Sequence, residues 1–420
     1  MSRDHSNVLA ALQAQRVYDH CATLGCLSEF DGGLTRVFLS PQQAQANTLV
    51  LGWMREAGMQ AHVDAMGNCV GRYEGSEADL PCLMLGSHLD TVRDAGKYDG
   101  MLGVLAAIEC VGALHATNTR LPFAIEIVGF GDEEGVRFGS TLLGSRAVAG
   151  TFDPTLLDKT DAGGMTMREA LRTFGLDPAA VDRVARRPEQ VLAYAELHIE
   201  QGPVLEAEGL AVGVVTAING GNRFNITLTG MAGHAGTVPM NLRRDALAAA
   251  AECVLAVEAI AGSMPDIVGT VGRIDAQPGA MNVIPGKVMF SLDVRAPTDA
   301  QRQTAVAAIR AGFEGIAARR NIAMSITPLW EAKTAPCAAA MQAQFASAIE
   351  HEGLPVRHLP SGAGHDGMAL IALAPIGMLF VRCEGGISHN PAEAITLADV
   401  ATGTRVFARF ILDFSPPPRG

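Results

Sequence analysis

Residues 80–134 read LPCLMLGSHLDTVRDAGKYDGMLGVLAAIECVGALHATNTRLPFAIEIVGFGDEE. Leu80–Asp90 is an apolar run that ends in polar residues, the pattern of a buried strand. VLAAIECVGALHA (104–116) reads as a helix, and FAIEIVGFGDEE (123–134) as a second buried strand with an acidic end. A strand, a helix and a strand in this rhythm predict a largely parallel sheet covered by helices, an α/β fold. Ligands in such sheets collect beyond the carboxyl ends of the strands. His88, Glu133 and Glu134 lie at such ends.

Downstream the rhythm changes. Strand patterns fall at 222–230, 266–276, 287–296 and 323–331, and helical patterns at 242–262 and 299–320. The order β-α-β-β-α-β is that of a ferredoxin-like, split βαβ module. After Pro336 the chain returns to helix and apolar strand patterns and carries His389. A metal site shared by both flanks requires them to fold together. The expected organisation is therefore a discontinuous catalytic domain, 1–217 and 332–420, with 218–331 inserted. The closing SPPPRG is expected to be a short disordered end.

Candidate metal ligands recur along the flanks. His88 and Asp90 are two apart at a strand end, so they share a side, and the carboxylate can accept the ring's second N–H. The plain alternative is a histidine satisfied in a tight turn. Asp99 precedes a helix and reads either as its N-cap or as a carboxylate that bridges two cations. Glu133 and Glu134 are adjacent, so their side chains diverge and their roles differ: one can bind metal while the other moves protons. The alternative is an exposed acidic turn. His198, in AYAELHIEQGPVLE, alternates with apolar neighbours as on a half-buried strand, and His389, in GISHNPAE, lies on a loop. Nitrogen and oxygen donors without cysteine, plus a spare carboxylate, suit a two-metal hydrolytic centre. His234 and His365 sit among small residues, as in loops that approach a ligand closely.

Composition narrows the classes. The chain has 420 residues, 48% hydrophobic and 18% charged, and a net charge of −12 with no basic run. That argues against nucleic acid and anionic membrane as partners. No stretch of eighteen apolar residues is present, and the first twenty residues lack the apolar core of a signal peptide. Eight dispersed cysteines without a CxxC read as reduced thiols in a cytoplasmic protein. A negative protein that takes an anionic substrate needs local arginine.

The motifs GSHLDTVRDAGKYDGMLGV, DEEGVRFGSTLLGSRA, ELHIEQGPVLE, GHAGTVPMNLRRDAL, MNVIPG, DVRAP, GAGHDGMAL and SHNPAE follow one another between Gly86 and Glu393, within a resemblance that covers roughly residues 15 to 412. In that order they resemble the M20 metallopeptidase family, in its hydantoinase/carbamoylase branch. That branch includes N-carbamoyl-L-amino acid hydrolases, allantoate amidohydrolases and β-ureidopropionases. The resemblance implies two divalent metal ions, zinc or manganese, with nickel or cobalt as substitutes. It gives His88, Asp99 and His198 to one ion and Asp99, Glu134 and His389 to the other. It implies that Asp90 orients His88 and that Glu133 is the general base. Arg295, Asn282 and Arg223 would hold a substrate carboxylate, and Gln201 a ureido group. Gly362, Gly364 and His365 would line the pocket floor. His234 would come from the inserted lid module of a second subunit, which implies a homodimer. His198 departs from the Asp or Glu usual in aminoacylase and carboxypeptidase relatives. Arg382, Cys383 and Val238 depart from typical members. The implied activity is hydrolysis of a linear C–N amide bond in an N-carbamoyl-L-amino acid, releasing amino acid, ammonia and carbon dioxide. Allantoate is the alternative substrate. A dipeptidase or aminoacylase and a non-catalytic binding protein are the further readings.

Overall fold

The computed structural model describes residues 5–417, so the end of the SPPPRG tail lies outside the described residues. The chain forms two compact units: one from 1–216, 337–359 and 363–420, the other from 217–336 with 360–362.

The first unit is built on a sheet of β1 (Gln60–Val63), β2 (Cys69–Tyr73), β3 (Cys82–His88), β4 (Ala124–Phe130), β5 (Val191–Ile199), β6 (Val212–Ile218) and β7 (Ile376–Val381). In space they run β1-β2-β4-β3-β5-β7-β6. The central four are parallel, while β1, β2 and β6 pair antiparallel at the flanks. β3 and β4 are buried at every residue, which explains their largely apolar sequence. Helix α1 (Met101–Ala116) is apolar around most of its circumference and buried between the sheet and helix α2 (Leu397–Asp413). A methyl group at Gly103 would overlap the Leu197 carbonyl oxygen, so α1 rests directly on the backbone of β5.

The expected half-buried strand around His198 is corrected. β5 is central, between β3 and β7, and its polar residues Glu196 and His198 are as buried as its apolar ones. Its polar stripe lies inside the molecule because it belongs to the site.

The second unit holds a four-stranded antiparallel core in the order Ile274–Gln277, Lys287–Ala296, Gly220–Thr229, Ala323–Ala332. Numbered along the chain this is 2-3-1-4, the arrangement of a split βαβ module. Helices Ala246–Gly262 and Asp299–Arg320 cover one face. Lys287–Ala296 alternates buried and part-exposed residues along its length, with Phe290, Leu292 and Val294 in the core. Two expected elements differ. The first helix begins at Ala246, because the Asp245 carboxylate accepts the N–H groups of Leu247 and Ala248 and caps it there. The strand expected at 266–276 is broken into Val268–Thr270 and Ile274–Gln277.

Candidate metal centre

The four parallel strands end at one edge of the sheet, and the first unit's candidate residues meet there. His88 ends β3, and Asp99 stands just before α1. Glu133 and Glu134 follow β4, His198 is near the end of β5, and His389 lies on the loop after β7. Asp99 does not cap α1. Gly100 occupies the cap position with φ of 71°, and a side chain there would collide with the His88 ring.

Asp99 is buried, and its two oxygens face opposite sets of ligands. Oδ1 lies 3.1 Å from His198 Nε2 and 3.6 Å from His88 Nε2, and Oδ2 lies 3.1 Å from His389 Nε2. His389 Nε2 is also 3.4 Å from Glu134 Oε1. Thus His88, Asp99 and His198 form one cluster, and Asp99, Glu134 and His389 another.

The tautomers test whether this set suits cations. His198 Nδ1 is 2.8 Å from the Ile199 carbonyl, and His88 Nδ1 is 3.0 Å from the Asp90 carbonyl. A carbonyl only accepts, so both Nδ1 atoms carry hydrogen and both Nε2 atoms of the neutral rings carry lone pairs near Asp99 Oδ1, that of His198 also accepting the Gly100 N–H at 3.2 Å. Lone pairs facing a carboxylate oxygen repel unless a cation or a proton lies between them. The donor set therefore fits a divalent metal cation at the groups that meet on Asp99.

The same carboxylates that would attract a cation also favour a proton on these rings. Burial alone depresses the His88 and His198 pKa values, but Asp99 and the surrounding carboxylates outweigh it and raise both. His389 is raised by its hydrogen bond to Asp99. Burial pushes Glu133 well above the usual carboxylate range and lifts Glu134 to about 7.

Asp90 faces His88 through both its backbone and its carboxylate. Its own backbone carbonyl takes the His88 ring N–H, and its carboxylate is 3.8 Å from the ring. The carboxylate also accepts the backbone N–H groups of Glu133 and Glu134, at 3.0 and 3.2 Å. It orients the glutamates. Gln201, on a turn with φ of 56°, donates through Nε2 to Asp99 Oδ2 at 3.1 Å, and its Oε1 is buried with no hydrogen-bond partner among the described residues. His365 is buried with its ring 4.5 Å from that of His198, and burial holds its pKa well down. Gly364 adjoins Glu133 Oε1.

The remaining expected residues lie in the second unit. Arg223, Arg295 and Gly362 line one cleft. His234 sits on a two-residue ribbon strand paired with Val283, and the Asn282 carbonyl accepts the N–H of Ala235. His234 is exposed.

Sequence reasoning left Glu393 and Glu196 without roles. Glu393 Oε1 accepts the N–H groups of Tyr98 and Asp99 at 2.8 and 3.1 Å, and Ser388 donates to its Oε2 at 2.9 Å. It holds the backbone at Asp99. Its signal was present in SHNPAE, four residues after His389. Glu196 accepts from Ser87 and Tyr194 at 2.8 and 2.9 Å beneath His198. Of the departures, Arg382 pairs with Asp399 at 2.7 Å, and Cys383 is buried.

Residues 84–413 match peptidase family M20/M25/M40. The chain is 42% identical over 396 residues to the N-carbamoyl-L-amino acid amidohydrolase of Geobacillus stearothermophilus, spanning 94% of this chain and 97% of that protein. It is 39% identical to a probable allantoate deiminase of Oryza sativa subsp. japonica, over 92% of this chain and 86% of that one. A crystal structure of a hydantoinase/carbamoylase family amidase from Burkholderia multivorans superposes with a TM-score of 0.90 at 35% identity, covering 96% of this chain and 98% of that one. The chain belongs to the M20/M25/M40 family, in its hydantoinase/carbamoylase branch.

Proposed function

We propose that this chain is a metal-dependent amidohydrolase that cleaves the carbamoyl C–N bond of N-carbamoyl-L-amino acids, releasing the amino acid, ammonia and carbon dioxide. The observation that carries this reading is the Asp99 carboxylate, whose two oxygens face two separate histidine sets. The names of the relatives at about 40% identity support the substrate class.

His88, Asp99 and His198 would hold one divalent ion, and Asp99, Glu134 and His389 the other. When bound, the pair supplies Lewis acidity to the substrate carbonyl and lowers the pKa of the attacking water. Glu133 takes the proton from that water and passes it to the departing nitrogen. Its burial beside His88 and Glu134 raises its pKa, which suits a group that must both accept and return a proton. Asp90 keeps Glu133 and Glu134 in place through their backbone N–H groups. The open acceptor of Gln201 Oε1 suits a ureido N–H. Gly364 leaves room beside Glu133, and His365 stays neutral at the floor with Gly362. Arg295, Arg223 and Asn282 bind the substrate carboxylate, for which the guanidinium fork is the matching shape. The partner subunit's His234 stabilises the carbonyl oxygen, so the working form is a homodimer. Unbridged cysteines, all but Cys26 buried, suit the reducing cytoplasm.

A second substrate, allantoate, is favoured by the plant relatives. An ammonia-release screen over N-carbamoyl-L-amino acids, β-ureidopropionate and allantoate, after loading with Mn²⁺ or Zn²⁺, separates the two. Turnover of a carbamoyl-amino acid is expected. Release from allantoate alone would move the assignment, and release from none of them would end it.

A further inference from the structure

Two arginines and one carboxylate share adjacent strands of the second unit. Asp293 stands directly opposite Arg223 in the antiparallel register, and Arg295 follows two residues along the same face. Asp293 Oδ2 accepts from Arg223 Nε at 2.8 Å. The same carboxylate takes Arg295 as a fork, Nε to Oδ1 at 3.0 Å and Nη2 to Oδ2 at 3.2 Å. Arg295 Nη1 donates to the Gly362 carbonyl at 2.7 Å, and the Arg223 guanidinium lies 4.8 Å from the centre of the Trp330 ring. These side chains line an open cleft of about 540 Å³ with Phe224 and Leu329.

Donor counting shows what the cleft has left to offer. A guanidinium carries five N–H groups. Asp293 and Gly362 occupy three of those on Arg295, and the remaining two match one further carboxylate. Two guanidiniums and one carboxylate sum to a single positive charge. Burial pushes Asp293 upward, but the hydrogen bonds from Arg295 and Arg223 outweigh it and hold the group below the usual carboxylate range. It is ionised throughout the neutral range.

We propose that Asp293 is a positioning residue that sets the charge of this cleft: it fixes both guanidiniums and leaves one net positive charge, so that ureido acids with one carboxylate are selected over those with two. This rests on the proposed role of Arg223 and Arg295 as carboxylate ligands.

The test compares wild type, Asp293→Asn and Asp293→Glu as full-length, metal-loaded protein. Ammonia release is measured on N-carbamoyl-L-alanine, which has one carboxylate, and N-carbamoyl-L-aspartate, which has two. In Asp293→Asn, KM for the alanine derivative should rise about tenfold with kcat within about twofold, and the ratio of kcat/KM values should move about tenfold toward the aspartate derivative. Asp293→Glu keeps the charge and should keep the preference for one carboxylate. An unchanged ratio in Asp293→Asn, or an equal shift in Asp293→Glu, overturns the assignment.

Calorimetric titration with N-acetylglycine and N-acetyl-L-aspartate reads the same preference without turnover. Should wild type release no ammonia from any ureido acid, the amidohydrolase reading falls while this titration still decides the role of Asp293. Tighter binding of N-acetylglycine by wild type, reversed in Asp293→Asn, supports it. Failure of wild type to bind N-acetylglycine, or no reversal, rejects it.

Discussion

At the scale of single residues, the site separates groups that hold charge from groups that move it. Glu133 is buried beside His88 and Glu134 but lies outside the pair of clusters that share Asp99. Glu133→Gln should keep its metal, measured by elemental analysis, and lose about 10²–10⁴-fold in kcat, the range for a lost general base. Full activity in that variant would show that another group moves the proton. Glu393 acts one step further out, through the N–H groups of Tyr98 and Asp99. Glu393→Gln places a donor where acceptors are needed. Metal affinity, read by chelator competition, should fall about 10–100-fold. An unchanged affinity would mean that the Asp99 turn holds itself. The ligand types were readable in the sequence, because His88, Asp99, Glu134, His198 and His389 each lie in a short motif of small and charged residues. The partner of the His88 ring was not. Whether a side chain or a main-chain carbonyl reaches Nδ1 depends on the bend of the chain after β3, which residue identity does not encode.

At the scale of elements, the site depends on how closely α1 approaches β5. Gly103 has no space for a methyl group, because the Leu197 carbonyl lies against it. Gly103→Ala must push the helix off the strand that carries His198. The expected cost is about 1–3 kcal/mol, seen as a lower Tm, together with weaker metal binding. A Tm equal to wild type would show that α1 can shift freely. The element types were largely legible, since β3, β4 and α1 have the mainly apolar composition of buried pieces. The reading of β5 as half-buried failed for a physical reason. Alternating polar residues ordinarily mark a wet face, but here they line an enclosed site between β3 and β7.

At the scale of the whole molecule, each unit has its own apolar core. Residues 217–336 contain all four main strands and both helices of the second unit. Expressed alone, they should unfold cooperatively, followed by circular dichroism. A fragment with no transition would show that its core needs the rest of the chain. Metal loading is the other global property. In the ion-free protein the raised pKa values of His88, His198 and His389 keep protons on the site, and Glu134 adds another near about 7. A cation must displace them. Affinity should therefore weaken as pH falls and strengthen as pH rises through these values. A slope steeper than about tenfold per pH unit is expected if more than one proton leaves. Titration with Zn²⁺ or Mn²⁺ at several pH values checks this, and a flat profile would contradict it.

The alternation of strand and helix around residues 80–134, the split βαβ pattern of the middle of the chain and the short polar motifs that carry the candidate ligands were legible in the sequence alone. Hydrophobic periodicity and short polar motifs are local properties that the chain carries wherever it folds. The sharing of Asp99 between opposite histidine sets, the turn of Asp90 toward the glutamate backbone, the support from Glu393 and the pairing of Asp293 with two arginines were decided only in three dimensions. Each joins residues from separate strands or loops, and only the folded backbone fixes which polar atoms come within hydrogen-bonding distance.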